Sequence, residues 1–226
     1  MTDIVFAVHD AELARALRDH LAGASRVTIV EASLLELETD ALVAPGNSFG
    51  WMDGGLDLQL VERFGDGLEQ RVQEAIATDW VGEAPVGTWV TVRLDTDRWL
   101  VYAPTMRVPM VLPPDTVAPY LAMRAVLHAA RQLPERVSIG VPGLGTGVGR
   151  VPAATFARQV AEAIGRFSGP PPEDWWEGVR AHQLLAGPTV RDLQQPVDGR
   201  PRPARPPDGG VVVEDTVDPD GDTVYT

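Results

Sequence analysis

Residues 40–57 read DALVAPGNSFGWMDGGLD, and this stretch carries the strongest fold signal of the chain. Its first part, residues 40–44, is apolar, too short for a helix and stopped by Pro45-Gly46, which predicts a buried strand. The glycines that follow allow the backbone to approach a ligand closely. A loop that runs from a strand end into a helix start also presents unpaired amide groups to a phosphate or a sugar hydroxyl. The stretch therefore predicts a ligand loop at a sheet edge.

Asn47 and Asp57 are the candidate functional side chains of this loop. The Asn47 amide both donates and accepts hydrogen bonds, as recognition of a ribose diol requires. The Asp57 carboxylate can accept a hydrogen bond from a sugar hydroxyl or from an attacking water. The alternative interpretation is structural: Asn47 forms an Asx turn with Ser48, and Asp57 caps the following helix.

A second glycine-rich loop covers residues 141–152, VPGLGTGVGRVP. Its four glycines stand at alternate positions after a β-branched run and before a predicted helix, so successive amides can hold an anion such as a diphosphate. The loop is not a Walker A loop, because no Gly-Lys-Ser/Thr follows, and it lies after the last predicted strand instead of the first. A flexible turn is the alternative, although a turn needs fewer glycines. Arg150 either adds positive charge at the anion or is simply exposed.

Strand and helix patterns alternate through residues 1–168 and predict an α/β fold. Predicted strands cover residues 4–8, 27–30, 40–44 and 137–141, and residues 87–93 and 98–103 form a hairpin. Predicted helices follow Asp10, divide in two near Gly65 and Gly67, cover residues 119–132 and begin near Pro152. The pattern predicts a mixed sheet covered by helices on both faces, an α/β/α arrangement of three layers.

The composition excludes several classes of function. The 226 residues include no cysteine and only four scattered histidines, so we expect no metal site and no thiol chemistry. A net charge of −13 disfavours extended nucleic-acid binding and anionic membranes. The sequence shows no apolar run long enough for a membrane span and no secretory signal at the N-terminus. We therefore expect a cytoplasmic protein that works without a cofactor.

The composition changes after Ser168, which predicts three segments. Residues 1–168 form the α/β domain, and residues 169–186 contain a helix that docks Trp175 or Trp176 on it. Residues 187–226 are rich in proline and acidic residues and have too little apolar surface to offset the entropy of ordering, so we expect a disordered tail. Residues 211–213 are three valines that could pair with a sheet edge.

The two loops together resemble those of the macrodomain family, whose members bind ADP-ribose. In that family a strand Asp-Ala-Ile-Val leads into Asn-Ala-Ala-Asn and then into Gly-Val-Asp, and a later strand leads into a diphosphate loop centred on Thr-Gly. Residues 40–47 and 54–57 match the first pattern with the same ten-residue step from Asn47 to Asp57, and residues 145–149 match the second. Residues 82–84, Gly-Glu-Ala, match a further family segment. The likeness covers about residues 26–167, so the first strand and helix form an N-terminal extension of the macrodomain-like core.

The resemblance implies roles for specific residues. Asn47 and Asp57 take the positions at which the family's hydrolases hold the distal ribose and orient water, and the loop beside them includes Gly54 and Gly55. The diphosphate loop corresponds to Gly143, Leu144, Gly145, Thr146, Gly147, Val148 and Gly149. Ser33, followed by Leu34, stands where the family has an aspartate that holds adenine. Ala44 replaces the first asparagine, and the aromatic over the distal ribose is absent at Val148-Gly149, which leaves Phe49 or Trp51 for that role or for the core.

Three functions remain open at this point. The resemblance implies a metal-independent hydrolase that cleaves an ester at the distal ribose of an ADP-ribosylated protein or of O-acetyl-ADP-ribose. The second is a reader that binds ADP-ribose or another nucleotide without cleaving it. The third is a scaffold whose pocket is vestigial. Asp57 favours the hydrolase, because a reader needs no carboxylate beside a diphosphate, whereas Ala44 and Ser33 favour the other two.

Overall fold

A six-stranded mixed sheet forms the centre of the protein in a computed structural model that describes residues 2–133, 137–186, 216–217 and 223–224. The strands are β1 Asp3–Ala7, β2 Val27–Val30, β3 Ala41–Ala44, β4 Val90–Arg93, β5 Trp99–Tyr102 and β6 Ser138–Val141. Their order in the sheet is β2-β1-β6-β3-β5-β4, and only β4 runs antiparallel to its neighbour. The predicted hairpin is confirmed, because β4 pairs with β5 in antiparallel register.

Helices cover both faces of the sheet, which confirms the α/β fold with three layers. The helices are α1 Ala11–His20, α2 Gly55–Phe64, α3 Gly67–Trp80, α4 Ala118–Gln132, α5 Ala153–Ser168 and α6 Trp175–Ala186. Helices α1, α4 and α5 pack on one face, and α2, α3 and a short 3-10 helix at Leu34–Glu36 pack on the other. The predicted helix boundaries are confirmed: Asp10 accepts hydrogen bonds from the first turn of α1, and Gly65, with φ of 97°, separates α2 from α3.

The apolar sequence of strand β3 explains the position of the loop that follows it at Pro45. All four of its residues are buried, with Ala41 and Val43 in the core under α1, α4 and α5, and Leu42 and Ala44 in the core under α2 and α3. Alternate side chains of a strand point to opposite faces, so a strand between two helical layers must be apolar at every position. β3 therefore places Pro45 and the following loop at the carboxyl end of the sheet.

The N-terminal strand β1 lies within the sheet rather than at its edge. Ile4 pairs with Val27 of β2 on one side and with Ile139 of β6 on the other. The strand therefore joins β2 to the rest of the sheet, although it precedes the stretch that resembles the macrodomain family.

Helix α6 belongs to the same compact unit as the sheet, Met1–Val190. Val179 and Leu185 are buried, and the Leu185 carbonyl accepts hydrogen bonds from Arg158 and Gln159 of α5. The side chains of Trp175 and Trp176, predicted to dock this helix, lie outside the described residues, as do residues 187–215 with their predicted disorder and the three valines. The second unit, Arg191–Thr226, contains one antiparallel pair of short strands, β7 Thr216–Val217 and β8 Thr223–Val224.

Among the described residues, no helix combines the length and the apolar character needed to cross a lipid bilayer.

Candidate functional site

A cleft of about 330 Å³ lies between the two glycine-rich loops at the carboxyl ends of β3 and β6. Because these strands are parallel neighbours, the loops that follow them leave the sheet at the same edge. One wall comes from the loop after β3, one from the loop after β6, and a third from the segment after β5. The lining residues are 45–47, 51, 53–57, 105–106, 109, 142–143 and 145–149.

At three positions of the loop after β6, the backbone either leaves no room for a Cβ or adopts a φ that favours glycine. Gly145 has φ of 73°, and a Cβ at Gly143 would overlap the Thr146 hydroxyl. A Cβ at Gly149 would lie 2.5 Å from the Gly145 carbonyl oxygen and 2.9 Å from Leu112 Cδ1. The loop is closed by the Val151 N–H, which donates to the Gly145 carbonyl at 3.0 Å. Close packing or backbone conformation therefore favours glycine at positions 143, 145 and 149, whereas a Cβ at Gly147 would meet nothing within 4 Å.

The Asn47 side chain is held inside its own loop. Its Oδ1 accepts from the backbone N–H of Phe49 at 3.1 Å and of Trp51 at 3.3 Å, and its Nδ2 donates to the Trp51 carbonyl at 2.8 Å. The local-turn interpretation of Asn47 therefore describes these contacts, while the residue also lines the cleft. Asn47 is 4% exposed, so its amide fixes the loop from within.

Tyr102, at the end of β5, fastens the same loop to the sheet. Its buried hydroxyl accepts from the Asn47 N–H at 2.9 Å and donates to the Asn47 carbonyl at 3.0 Å. A Cβ at Gly46 would overlap this hydroxyl, so the loop passes Tyr102 only because residue 46 is glycine. Burial, with smaller contributions from Asp57 and Glu69, raises the pKa of Tyr102, which keeps the hydroxyl protonated for its donated hydrogen bond.

Asp57 lies in the first turn of α2 and lines the cleft. The helix begins after Gly54 without a side-chain cap, so the capping interpretation of Asp57 is wrong. Its Oδ1 is buried and has no hydrogen-bond partner among the described residues. Burial of the carboxyl, and secondly the charge of Asp53, raise the pKa of Asp57 to about 7. Such a carboxyl is suited to exchanging a proton near neutral pH.

The wall that contains Asp57 ends in Trp51 and Asp53 at the mouth of the cleft. Trp51 is 44% exposed and its ring stacks on Phe49, with the ring centres 5.0 Å apart. Asp53 is exposed and makes no hydrogen bond or ion pair with the described part of the chain. No lysine, arginine or histidine is among the residues that line this cleft.

The remaining predicted residues are distributed around the cleft. Gly54, Gly55, Gly147 and Val148 line it, and Val148 is 59% exposed. Leu144 is fully buried in the core and, unlike Gly143 and Gly145 beside it, does not line the cleft. Arg150 is exposed and does not line the cleft.

Ser33 and Leu34 line a neighbouring depression of about 300 Å³, which also includes His9 and Asp10. This depression shares Leu56, Pro142, Gly143 and Thr146 with the main cleft, so the two adjoin. The Ser33 hydroxyl accepts from the Leu35 N–H and belongs to a capping box with Glu36. Ser33 therefore caps the 3-10 helix beside the cleft.

Sequence reasoning missed the third wall, which contains Thr105, Met106 and Pro109. The prolines of residues 104–114 were a signal for an ordered loop, and its position directly after β5 placed it at the same sheet edge. Tyr102 was also missed, because within the pattern of β5 it reads as another core residue. The partner that gives it a role, Asn47, is 55 residues away in the sequence.

Comparisons with known proteins agree with this architecture. The chain is 31% identical over 141 residues to an uncharacterized protein of Aquifex aeolicus. The aligned residues make up 62% of this chain and 82% of that protein. It is similar in structure to the macrodomain of Thermus aquaticus DarG, at 26% identity and a TM-score of 0.50 over 61% of this chain and 89% of that one. It also resembles Thermosipho africanus DarTG in complex with ADP-ribose, at 17% identity and a TM-score of 0.49 over 79% and 56% of the two chains. No family model matches.

The mixed sheet and the two facing glycine-rich loops define an α/β protein with the macrodomain fold. The chain belongs to the same family as the uncharacterized protein of Aquifex aeolicus.

Proposed function

We propose that the cleft binds ADP-ribose and hydrolyses an ester at its distal ribose. One observation carries this proposal: Asp57 lines the same cleft as the glycine-rich loop after β6, and its buried Oδ1 has no described partner. A buried carboxylate oxygen without a partner costs stability, so its presence in a residue of the cleft wall points to a use in binding or chemistry.

The loop after β6 binds the diphosphate in this proposal. Because no basic side chain lines the cleft, main-chain amides of residues 143–149 supply the hydrogen bonds to the phosphate oxygens. The close packing of Gly143, Gly145 and Gly149 holds these amides in place before the ligand arrives. In this proposal the adenine end of the ligand extends toward Ser33 and Leu34, which line the adjoining depression.

Asn47 contacts the distal ribose through the part of its amide that the loop does not use. One Nδ2 hydrogen goes to the Trp51 carbonyl, and the second is available to a ribose hydroxyl. Since both the side chain and the backbone of Asn47 are fixed by hydrogen bonds, the ribose meets a rigid donor.

Asp57 acts as the base in the hydrolytic step. Its carboxylate takes a proton from a water as the water oxygen attacks the ester carbonyl carbon. The bond between that carbon and the ribose oxygen then breaks, and the proton returns to the ribose oxygen, so the products are a free carboxylic acid and ADP-ribose. The diphosphate of the substrate is a second candidate base. Positioning of water and ester in one site lowers the barrier by several kcal/mol.

A reader function is the second candidate, and the Asn47 contacts favour it. In a hydrolase we would expect this amide to be free for the substrate, whereas here most of its hydrogen-bonding capacity stabilises residues 49–51. The same cleft then binds ADP-ribose without cleaving it.

Release of ADP-ribose from an ester-linked, ADP-ribosylated protein distinguishes the two functions. The hydrolase proposal predicts release by the wild-type protein without added metal, and loss of release in Asp57→Asn. Glu62→Gln, an exposed carboxylate on the same helix, is the matched control and should retain the wild-type rate. Binding without release by the wild type would support the reader and overturn the hydrolase.

A further inference from the structure

The mouth of the cleft carries a pair of groups that ADP-ribose itself does not need. Trp51 and Asp53 are two residues apart, both line the cleft, and both are exposed. They belong to the same loop wall as Asp57, the residue beside which the proposed ester is placed, and the charge of Asp53 acts on the Asp57 carboxyl. The ligand there would already carry the two negative charges of the diphosphate.

Contacts of both the backbone and the side chain hold the Trp51 ring in place. Its backbone N–H and carbonyl are both hydrogen-bonded to the Asn47 side chain, and its ring stacks on Phe49 with an interplanar angle of 24°. The remaining surface of the ring is open at the mouth of the cleft, with the residue 44% exposed. An aromatic face fixed in this way attracts a cation through its quadrupole, with little entropy lost on binding.

Asp53 adds a negative charge that nothing in the described structure neutralises. Arg107, whose guanidinium lies 5.3 Å from the centre of the Phe49 ring, is instead paired with Glu83 at 2.6 Å. The charge of Asp53 also opposes ionisation of Asp57. The charge of Asp53 therefore weakens the binding of free ADP-ribose, and it strengthens the binding of a molecule that brings a positive charge.

We propose that Trp51 and Asp53 form a subsite for a guanidinium group, supplied by an arginine next to the ADP-ribosylated residue of a protein substrate. An aromatic face and a carboxylate are the two kinds of group that recognise a guanidinium ion. A nucleic acid would place phosphates at the same mouth and be repelled by Asp53 and by the overall charge of −13. The inference rests on the proposed function and adds the class of substrate to it.

Two conjugates test the subsite directly. Both are the same peptide with ADP-ribose attached through a non-hydrolysable linkage, and they differ only in an arginine or a citrulline beside the attachment site. The wild type should bind the arginine conjugate about fivefold more tightly, as one cation–π contact and one partly exposed ion pair allow. Asp53→Asn should remove this preference and bind free ADP-ribose as tightly as the wild type or more tightly. Raising the salt concentration should reduce the preference in the wild type only.

Controls separate the possible outcomes. Glu62→Gln removes another exposed acid, on helix α2, and should keep the fivefold preference for the arginine conjugate. Equal affinity of the wild type for both conjugates, together with binding of free ADP-ribose, would overturn the subsite and leave the proposed function standing. An unchanged preference in Asp53→Asn would overturn it as well. Failure of the wild type to bind either conjugate or ADP-ribose would overturn both proposals.

Discussion

The hydroxyl of Tyr102 and the backbone of Asn47 form a reciprocal pair of hydrogen bonds, at 2.9 Å and 3.0 Å. Through this pair the end of β5 holds the loop that follows β3, in a place where Gly46 leaves room for the phenol ring. The Asn47 side chain then fixes the backbone of Phe49 and Trp51. The buried hydroxyl of Tyr102 therefore fixes Asn47, and Asn47 in turn fixes the backbone of this wall of the cleft.

Tyr102→Phe should destabilise the protein and weaken the cleft. The change leaves the buried N–H of Asn47 without its partner and removes one of the two donors to the Asn47 carbonyl, which keeps only the Gly50 N–H at 3.4 Å; the loss costs about 1 to 3 kcal/mol of unfolding free energy. Denaturant unfolding measures the loss, and titration with ADP-ribose should show weaker binding. Tyr120→Phe is the matched control, because the Tyr120 hydroxyl makes no hydrogen bond among the described residues. Equal stability of the two variants would contradict the role of Tyr102.

Asp57→Asn should abolish release of ADP-ribose while leaving its affinity within about tenfold of the wild type. The carboxamide keeps the shape of the side chain but cannot take the proton from water. Single-turnover release and calorimetry measure the two effects separately. Equal turnover of variant and wild type would show that Asp57 is not the base.

The rate of hydrolysis should rise with pH and level off above about 7. Burial and the neighbouring Asp53 raise the pKa of Asp57 to about 7, so the active carboxylate is the minor form at lower pH. kcat/KM reports this ionisation in the free protein, and below the midpoint it should fall about tenfold per pH unit. Asp53→Asn should move the midpoint to lower pH, because one of the two causes is removed. A rate that falls between pH 6 and pH 8 would exclude Asp57 as the base.

Gly149→Ala should weaken ADP-ribose binding by about tenfold or more, because misplacement of a binding group by about 1 Å has effects of this size. The added Cβ would lie 2.5 Å from the Gly145 carbonyl oxygen, so the loop backbone has to move. Gly165→Ala is the control: this Cβ meets nothing within 4 Å in α5, and the change should stabilise the helix by about 0.5 to 1 kcal/mol. Calorimetry with ADP-ribose compares the two, and unchanged affinity in Gly149→Ala would contradict the loop's role.

The elements of the fold were predictable from the sequence because they depend on local patterns. The all-apolar β3, the Asp10 cap and the glycine between α2 and α3 each signal an element through nearby residues. The place of β1 between β2 and β6 was not predictable in this way, since strand order depends on pairing between Ile4 and Ile139, far apart in the sequence.

The candidate site was predictable only in part. The spacing from Asn47 to Asp57 and the alternate glycines after β6 identified two walls of the cleft. The helix-cap interpretation of Asp57 was wrong, because Gly54 is the N-cap residue of α2 and makes no side-chain cap, while Asp57 lies within the first turn and lines the cleft. The raised pKa of Asp57 depends on burial by the folded chain, which no local pattern records.

Binding of ADP-ribose in the cleft is measured by calorimetric titration of the wild-type protein. We expect saturable binding with Kd in the micromolar range, a binding free energy of roughly 7 to 8 kcal/mol. Absence of any binding heat at ligand concentrations up to about 1 mM, with the protein folded, would contradict a cleft built for this ligand.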